Sequence, residues 1–463
     1  MTKILVLSRG VVGRDMASTG IRCYHMARVL ADQIREAQVT LVVPNEPDIP
    51  SPHERVRMVR QGNPWRNLRL MFEHDIIIAR DFPGYAIALL PSKQLVLDAY
   101  ATSLIEWLPL SERILDKEQR KLWLASRRHY VLMQLTLADY IACSDERQRD
   151  YWVGALSIAG LIPPETYDRD TTLHQLVGVA PYGVQPGRPR KGRRVLKGVV
   201  PGIRKTDKVV IWNGSIMEWL DAETVIRAMA EVSRVRDDVK LFFLGVEHPD
   251  WVTGLLFHVP QEAVKLSEEL GLYNQSVFFK SGWVPYDDIG DYLVEADIGV
   301  CTGFDSLEAR YAYRTRFVDL FWAQLPIVCT QGDVLAERVE QAPLGVAVPE
   351  RDVQAVAAGI IRLVDDEEFY RRCKSNLLAV KKELSWERVL APIVEYVRNP
   401  QSIAADKHQR LLPLLQRTAA YEFSRGLEKL SLFMRKRPRP ELERSAAESI
   451  GRVRRLFQDQ RQR

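Results

Sequence analysis

Between Thr302 and Thr330 the chain reads TGFDSLEARYAYRTRFVDLFWAQLPIVCT, which sets Glu308, Arg314, Arg316 and Asp319 just ahead of a short apolar strand. Charges beside a buried strand must be neutralised by one another or by a ligand, because an unpaired charge in a low dielectric is costly. Two guanidinium groups neutralise a diphosphate through forked hydrogen bonds, and a carboxylate accepts from ribose or sugar hydroxyls. Read that way, Arg314, Arg316 and Glu308 are the candidate catalytic groups of a reaction on a nucleotide sugar. Read the other way, the same side chains form an internal arginine–carboxylate network that only fixes a loop.

Two glycine-bearing loops are the other places where a phosphate has room to approach backbone, at a strand's carboxyl end and a helix N-terminus. The first runs from Arg9 to Gly20, with Gly10 and Gly13 between them, and it does not carry the G-x-G-x-x-G spacing of a dinucleotide site. The second, IWNGSIMEWLD at 211–221, ends a strand in Asn213 and Gly214 and presents Trp219. Other chemistries find less support. His25, His74 and His248 have no second His or Cys at metal-ligand spacing. Asp287 and Asp288 stand at a predicted helix start, where capping explains them. Cys143 has no neighbouring base, and Ser144 is not in a G-x-S-x-G turn.

The elements that must position these groups are short apolar runs alternating with helical spacing: KILVLS (3–8), VTLVVP (39–44), DIIIA (75–79), QLVLD (94–98) and YIACS (140–144). Continuous apolar strands are expected where helices cover both faces of a parallel sheet, so the fold class is α/β. Residues 177–208, rich in Pro, Gly and basic residues, read as an exposed connection. A second α/β unit then starts at KVVIWNG (208–214) and continues through VKLFFLG, SVFFKSGWV, ADIGVCT and LPIVCT. The expected layout is one domain over 1–190, a second over 205–385, a helix at 386–400 that returns to the first, and a basic helical tail over 401–463.

Charge is uneven along the chain. The 463 residues carry a net +5, yet residues 401–463 hold 15 Lys/Arg against 7 Asp/Glu, so the body is slightly acidic. That distribution argues against a nucleic-acid-binding body and points the tail toward an anionic membrane surface or a partner protein. The five cysteines stand singly, which makes neither a disulfide framework nor a zinc cluster and is consistent with a reducing cytoplasm. The first residues lack a cleavage site, and no apolar run reaches the roughly 20 residues of a spanning helix.

The succession VAPYGV, VVIWNGSI, KLFFLG, VFFKSGWVPYDDIGDYLVEADIGV and LFWAQLPIVCT resembles the C-terminal half of the retaining group 1, family 4-like glycosyltransferases of GT-B fold. GIRCYHMARVLA resembles their first helix, and the likeness covers roughly residues 1–400. LVLDAYATSLIEW, CSDERQRDYWVGAL, WNGSIMEWLDAETVIRA and YRTRFVDLFWAQLPIV resemble bacterial members that accompany surface-polysaccharide synthesis. The resemblance implies two Rossmann-like domains facing across a cleft, and transfer of a sugar from a nucleotide sugar to a glycan or lipid-linked acceptor with retention. It implies no metal and no cofactor beyond the nucleotide-sugar co-substrate, and no nucleic-acid partner.

Residue by residue, it implies a donor wall of Asn213, Gly214, Trp219, Lys280, Trp283, Val284, Thr315 and Asp319. The family's two glutamates, with seven residues between them, fall here on Tyr311 and Asp319, so Asp319 takes the ribose position and Glu308 stands three residues before Tyr311. The family's Arg and Lys after the first strand of the second domain are replaced by Met217, Glu218 and Trp219, which leaves the diphosphate to Arg314 and Arg316. The acceptor is expected on the N-domain side, near Gly20, Arg22, Arg80, Asp81, Asp98 and Glu106. The protein is then cytoplasmic, with its tail at the inner face of the membrane. Two alternatives are a non-catalytic scaffold beside an active transferase, which the altered glutamate pattern favours, and a nucleotide-sugar epimerase.

Overall fold

The computed structural model describes residues 2–89, 92–189, 192–245, 258–400 and 407–434. Seven strands build the first lobe: β1 Lys3–Leu7, β2 Gln38–Val43, β3 Val56–Arg60, β4 Ile76–Ala79, β5 Gln94–Asp98, β6 Tyr140–Cys143 and β7 Val177–Val179. Six build the second: β8 Lys208–Trp212, β9 Val239–Phe243, β10 Val277–Phe279, β11 Ile298–Cys301, β12 Ile327–Thr330 and β13 Gly345–Val348. Both sheets are parallel, in the orders β3-β2-β1-β4-β5-β6-β7 and β10-β9-β8-β11-β12-β13. Strand order reverses between β1 and β4 and between β8 and β11, and such switch points are where open α/β sheets hold ligands.

The apolar runs become strands because both their faces are covered: Ile4, Leu5, Val209, Val210 and Ile211 are wholly buried. One apolar cluster runs through both lobes, from Val29 and Tyr140 by way of Tyr182 and Trp386 to Phe317 and Leu377. Each lobe has a second cluster on its outer face.

The structure corrects the expected connection over 177–208 at its start, since Val177–Val179 pairs with β6 as the last strand of the first sheet. The expected closing helix is two pieces, Trp386–Val389 and Ala391–Arg398. They meet the first lobe. Tyr396 stacks on Tyr140 at 4.6 Å and donates to Gln94 Oε1 at 2.7 Å, and Arg28 pairs with Glu387 at 2.6 Å. Beyond them, helix Lys407–Met434 lies along helix Lys117–Leu137. The remainder of the tail, with RKRPRP and residues 441–463, lies outside the described residues, as does His248. Among the described residues no helix is long and apolar enough to cross a membrane.

Several helices start on an Asp that accepts from their first amides: Asp116, Asp145, Asp221, Asp333, Asp352 and Asp366. Three helices that begin at the facing strand ends have no such side-chain cap. They are Ser18–Gln33 after Ala17, Ser103–Ile114 after Thr102, and Thr315–Ala323 after Arg314. Their first N–H groups are left for other partners.

Candidate active site

The carboxyl ends of the two sheets face each other across a cavity of about 460 Å³. Of the residues singled out in the sequence, Arg80, Glu106, Asn213, Gly214, Trp219, Trp283, Glu308, Arg314, Thr315, Arg316 and Asp319 line it.

Arg314 and Arg316 stand two residues apart and do different work. Arg314 Nη2 donates to Glu308 Oε2 at 2.9 Å, and its Nε lies 3.5 Å from Asp333. Asp333 in turn accepts from Leu335 N and Ala336 N, each at 2.8 Å, capping the next helix. All three side chains are buried. Arg314 and Glu308 thus form the internal network, and neither presents a spare charge to a ligand. Burial raises the Asp333 carboxyl to about 6 despite Arg314 and the amides it accepts from.

Arg316 is the opposite case. Its Nη2 donates to the Ser215 carbonyl at 3.0 Å and its guanidinium sits 5.1 Å over the Trp212 ring. Among the described residues no carboxylate forms an ion pair with it, and its Nη1 has no hydrogen-bond partner. Burial, aided by Arg314 and opposed by Cys301 and Asp319, lowers its pKa from the ordinary guanidinium value. One turn on, burial pushes the Asp319 carboxyl up to about 7, against the pull of Asn213 and Arg316. Asn213 spans the pair: its Nδ2 donates to the Arg316 carbonyl at 3.0 Å and approaches Asp319 Oδ2 at 3.5 Å.

Three polar atoms in this corner, Asn213 Oδ1, Ser215 Oγ and Arg316 Nη1, are buried with no partner. Native proteins satisfy such atoms, so a cluster of them on a cavity wall marks a place for a polar ligand. The uncapped N-terminus of helix Thr315–Ala323 adds its first amides and the positive end of its dipole at the same spot. Gly214, at φ +88°, turns the chain so that the Ser215 carbonyl meets Arg316.

Other expected residues do not line the cavity. Gly20 is a packing glycine: a Cβ there would lie 1.9 Å from the Val11 carbonyl oxygen. Arg22 is wholly buried, with Nε and Nη2 on Asp98 at 2.7 to 3.0 Å and further donations to the carbonyls of Pro181 and Ala180. Both members of that pair serve the frame rather than an acceptor. Asp81 pairs with Arg9. Lys280, half-buried, donates to the Ser281 carbonyl at 3.2 Å, and Val284 belongs to the shared core. Asp287 and Asp288 provide no side-chain cap; Asp288 pairs with Arg193 at 2.5 Å.

The first lobe supplies what the sequence did not disclose. Tyr100, Trp107 and Tyr182 form an aromatic wall from two segments, the stretch after β5 and the stretch after β7. Tyr100 is held between Arg22 and Arg80, 5.2 and 5.0 Å from its ring centroid, and its hydroxyl meets Arg80 Nη1 at 3.1 Å and Thr19 Oγ1 at 3.0 Å. Nearby, burial raises the Glu106 carboxyl, tempered by Arg80 and Arg314. In the second lobe Ser215 joins the site from a loop already singled out for Asn213 and Gly214. Among the described residues no group of three or more His, Cys, Asp or Glu is arranged to hold a metal ion.

Two parallel-sheet lobes facing across a cleft define a GT-B fold, and solved structures agree. The chain is similar to the sucrose-phosphate synthase of Thermosynechococcus elongatus, at a TM-score of 0.58 and 15% identity over 86% of this chain and 99% of that one. It is similar to HepE of Anabaena in complex with UDP and glucose, at 0.57 and 16% over 86% and 100%. It is similar to WaaG, a glycosyltransferase involved in lipopolysaccharide biosynthesis, at 0.56 and 13% over 86% and 100%. Residues 198–378, most of the second lobe, match the family of glycosyl transferases group 1, and that lobe is a domain of this group. No curated protein matches the chain in sequence.

Proposed function

We propose that the protein is a glycosyltransferase that moves a sugar from a nucleotide sugar to a hydroxyl acceptor, with retention at the anomeric carbon and without a metal ion. The observation that carries this reading is the unsatisfied corner formed by Asn213, Ser215 and Arg316 beside the Asp319 carboxyl. A nucleoside diphosphate has the matching chemistry, with an anion for Arg316 and the helix N-terminus and a ribose hydroxyl pair for Asp319. The likeness to HepE, whose structure was solved with UDP-glucose, supports it.

In this reading Arg316 and the amides of Thr315 and Arg316 face the leaving diphosphate and stabilise the charge that grows as the glycosidic bond breaks. Removing one such preorganised donor typically costs about 10²- to 10³-fold in rate. An oxygen of the departing phosphate takes the proton of the acceptor hydroxyl, so no side-chain base is required. Arg314 and Glu308 act by positioning, holding the chain from 308 to 315 in place. Arg80, Glu106 and the aromatic wall face a glycan or lipid-linked acceptor. The basic tail draws the enzyme to the inner face of an anionic membrane or to a partner protein.

The test is thermal stabilisation by UDP, GDP, ADP, CMP and dTDP, since a ligand that binds only the folded state raises its apparent stability. One nucleotide is expected to stabilise the protein. Arg316→Ala is expected to weaken that nucleotide about 10- to 100-fold, the worth of a charge-assisted hydrogen bond of about 1.5–3 kcal/mol. No shift with any nucleotide, in a well-folded protein, would replace this reading with a scaffold role.

A further inference from the structure

The arginines around the cleft differ in how their charge is met. Arg9 pairs with Asp81, Arg22 is forked onto Asp98, and Arg314 lies between Glu308 and Asp333. Among the described residues neither Arg80 nor Arg316 forms an ion pair, and the two line the same cavity from opposite lobes. A guanidinium held in a cleft without a carboxylate is costly unless a ligand supplies the counter-ion. The proposed diphosphate answers Arg316 and leaves Arg80 unanswered. The acids whose charge acts on Arg80 do not serve it: Asp81 and Asp98 are taken by Arg9 and Arg22. Glu106 forms no ion pair with it, and burial disfavours the charged form of that carboxyl.

What Arg80 touches holds it at the cavity without satisfying it. Its guanidinium lies 5.0 Å over the Tyr100 ring, and its Nη1 donates to the Tyr100 hydroxyl at 3.1 Å. Its remaining N–H groups have no acceptor among the described residues, and the side chain opens onto the cavity. Helix Ser103–Ile114 adds positive potential beside it. That helix starts between Ala101 and Glu106, which both line the cavity, and it has no side-chain cap. The hydroxyl of Thr102, at the cap position, is buried with no partner. The helix's first amides and the positive end of its dipole are therefore left for an anion. Trp107 and Tyr182 continue the same wall. Aromatic faces with a few placed polar groups are the make-up of a site for an organic molecule, so the anion is one borne by a larger ligand.

We infer that the acceptor carries an anionic group, a phosphoryl or a carboxylate, and that Arg80 and the start of helix Ser103–Ile114 bind it. The inference rests on the transferase reading of the cleft, in which the donor diphosphate fills the Arg316 corner. The test is thermal stabilisation of the full-length protein by glucose 6-phosphate and by glucuronate, with glucose as the neutral control. It is run on the free protein and again with a saturating concentration of the nucleotide that stabilises it. At least one of the two acids is expected to bind about 10- to 100-fold more tightly than glucose, as a hydrogen bond to a charged group provides, and to keep that preference with the nucleotide in place. Which acid does so separates phosphoryl from carboxylate. Arg80→Gln is expected to bring both acids down to the level of glucose, and Arg80→Lys, which keeps the charge but not the fork, to restore part of the preference. A nucleotide shift without any preference for the acids overturns the inference and leaves the donor reading standing. A preference for the acids with no nucleotide shift keeps the anion site and overturns the donor reading. A preference that persists in Arg80→Gln, or that vanishes once nucleotide is bound, places the anion elsewhere and also overturns the inference.

Discussion

Arg314 and Arg316 show why residue type does not settle a role. Both are arginines at the mouth of one helix, yet Glu308 and Asp333 occupy the first and no carboxylate among the described residues pairs with the second. Asp319 is the other informative residue. Burial raises its carboxyl to about 7, so the free protein holds it protonated through much of the mildly acidic range. A raised folded-state value means that this group favours the folded state below the ordinary carboxylate range, and that contribution is lost as pH rises through about 7. Ribose hydroxyls donate more strongly to the ionised form, so with Asp319 in the proposed ribose role nucleotide binding is expected to release the proton. Nucleotide affinity is therefore expected to rise with pH up to about 7 and then level off, while Asp319→Asn binds more weakly and without that pH dependence. Isothermal titration in buffers of different ionisation heat checks this, and an unchanged profile in Asp319→Asn would remove Asp319 from the ribose site.

At the scale of elements, the contacts that seat helix Ser18–Gln33 include the close approach of Gly20 to the Val11 carbonyl and the Arg22–Asp98 pair. Gly20→Ala pushes a methyl into backbone, and overpacking of this kind costs typically about 1–3 kcal/mol. A lowered Tm is expected, together with weaker nucleotide binding because Ala17 and Ser18 at the helix start line the cleft. The central strands were legible in the sequence because both faces are buried, which leaves unbroken apolar runs such as Ile76–Ala79. Of the edge strands only β10, with its run Val277–Phe279, was. β3, VRMVR, has its apolar run broken by Arg57 and Arg60 because it lies at the edge, and β7, VGV, is three residues long inside a stretch of Pro and Gly. The same division holds in the cleft. Arg316 and Asp319 could be picked out as charges set before a buried strand, whereas the partner of Arg22 lies 76 residues away and nothing local reveals it. The wall of Tyr100, Trp107 and Tyr182 exists only once the segments that follow β5 and β7 converge.

At the scale of the molecule, the lobes touch on both sides of the cleft. On one side His25 Nε2 meets the Tyr286 hydroxyl at 2.8 Å. On the other, Arg147 pairs with Glu337 at 2.5 Å and Gln148 Nε2 donates to the Tyr311 carbonyl at 2.9 Å. The Arg147–Glu337 pair is partly exposed and so contributes little to stability, about 0–1 kcal/mol. Its effect falls on the opening of the cleft. Arg147→Gln combined with Glu337→Gln is expected to leave Tm nearly unchanged and to increase the radius of gyration measured by small-angle scattering, an increase that a bound nucleotide reverses. An identical radius would show that this pair does not hold the lobes together. The return of Ala391–Arg398 and Lys407–Met434 to the first lobe has a consequence for how the protein is made. Synthesis at about 5–20 residues per second leaves β7 waiting roughly 10–40 s for the helix that covers it. The second lobe, continuous from β8 to β13, emerges whole in that interval. It can fold while the ribosome is still translating, and the lobe that starts the chain is the one completed last.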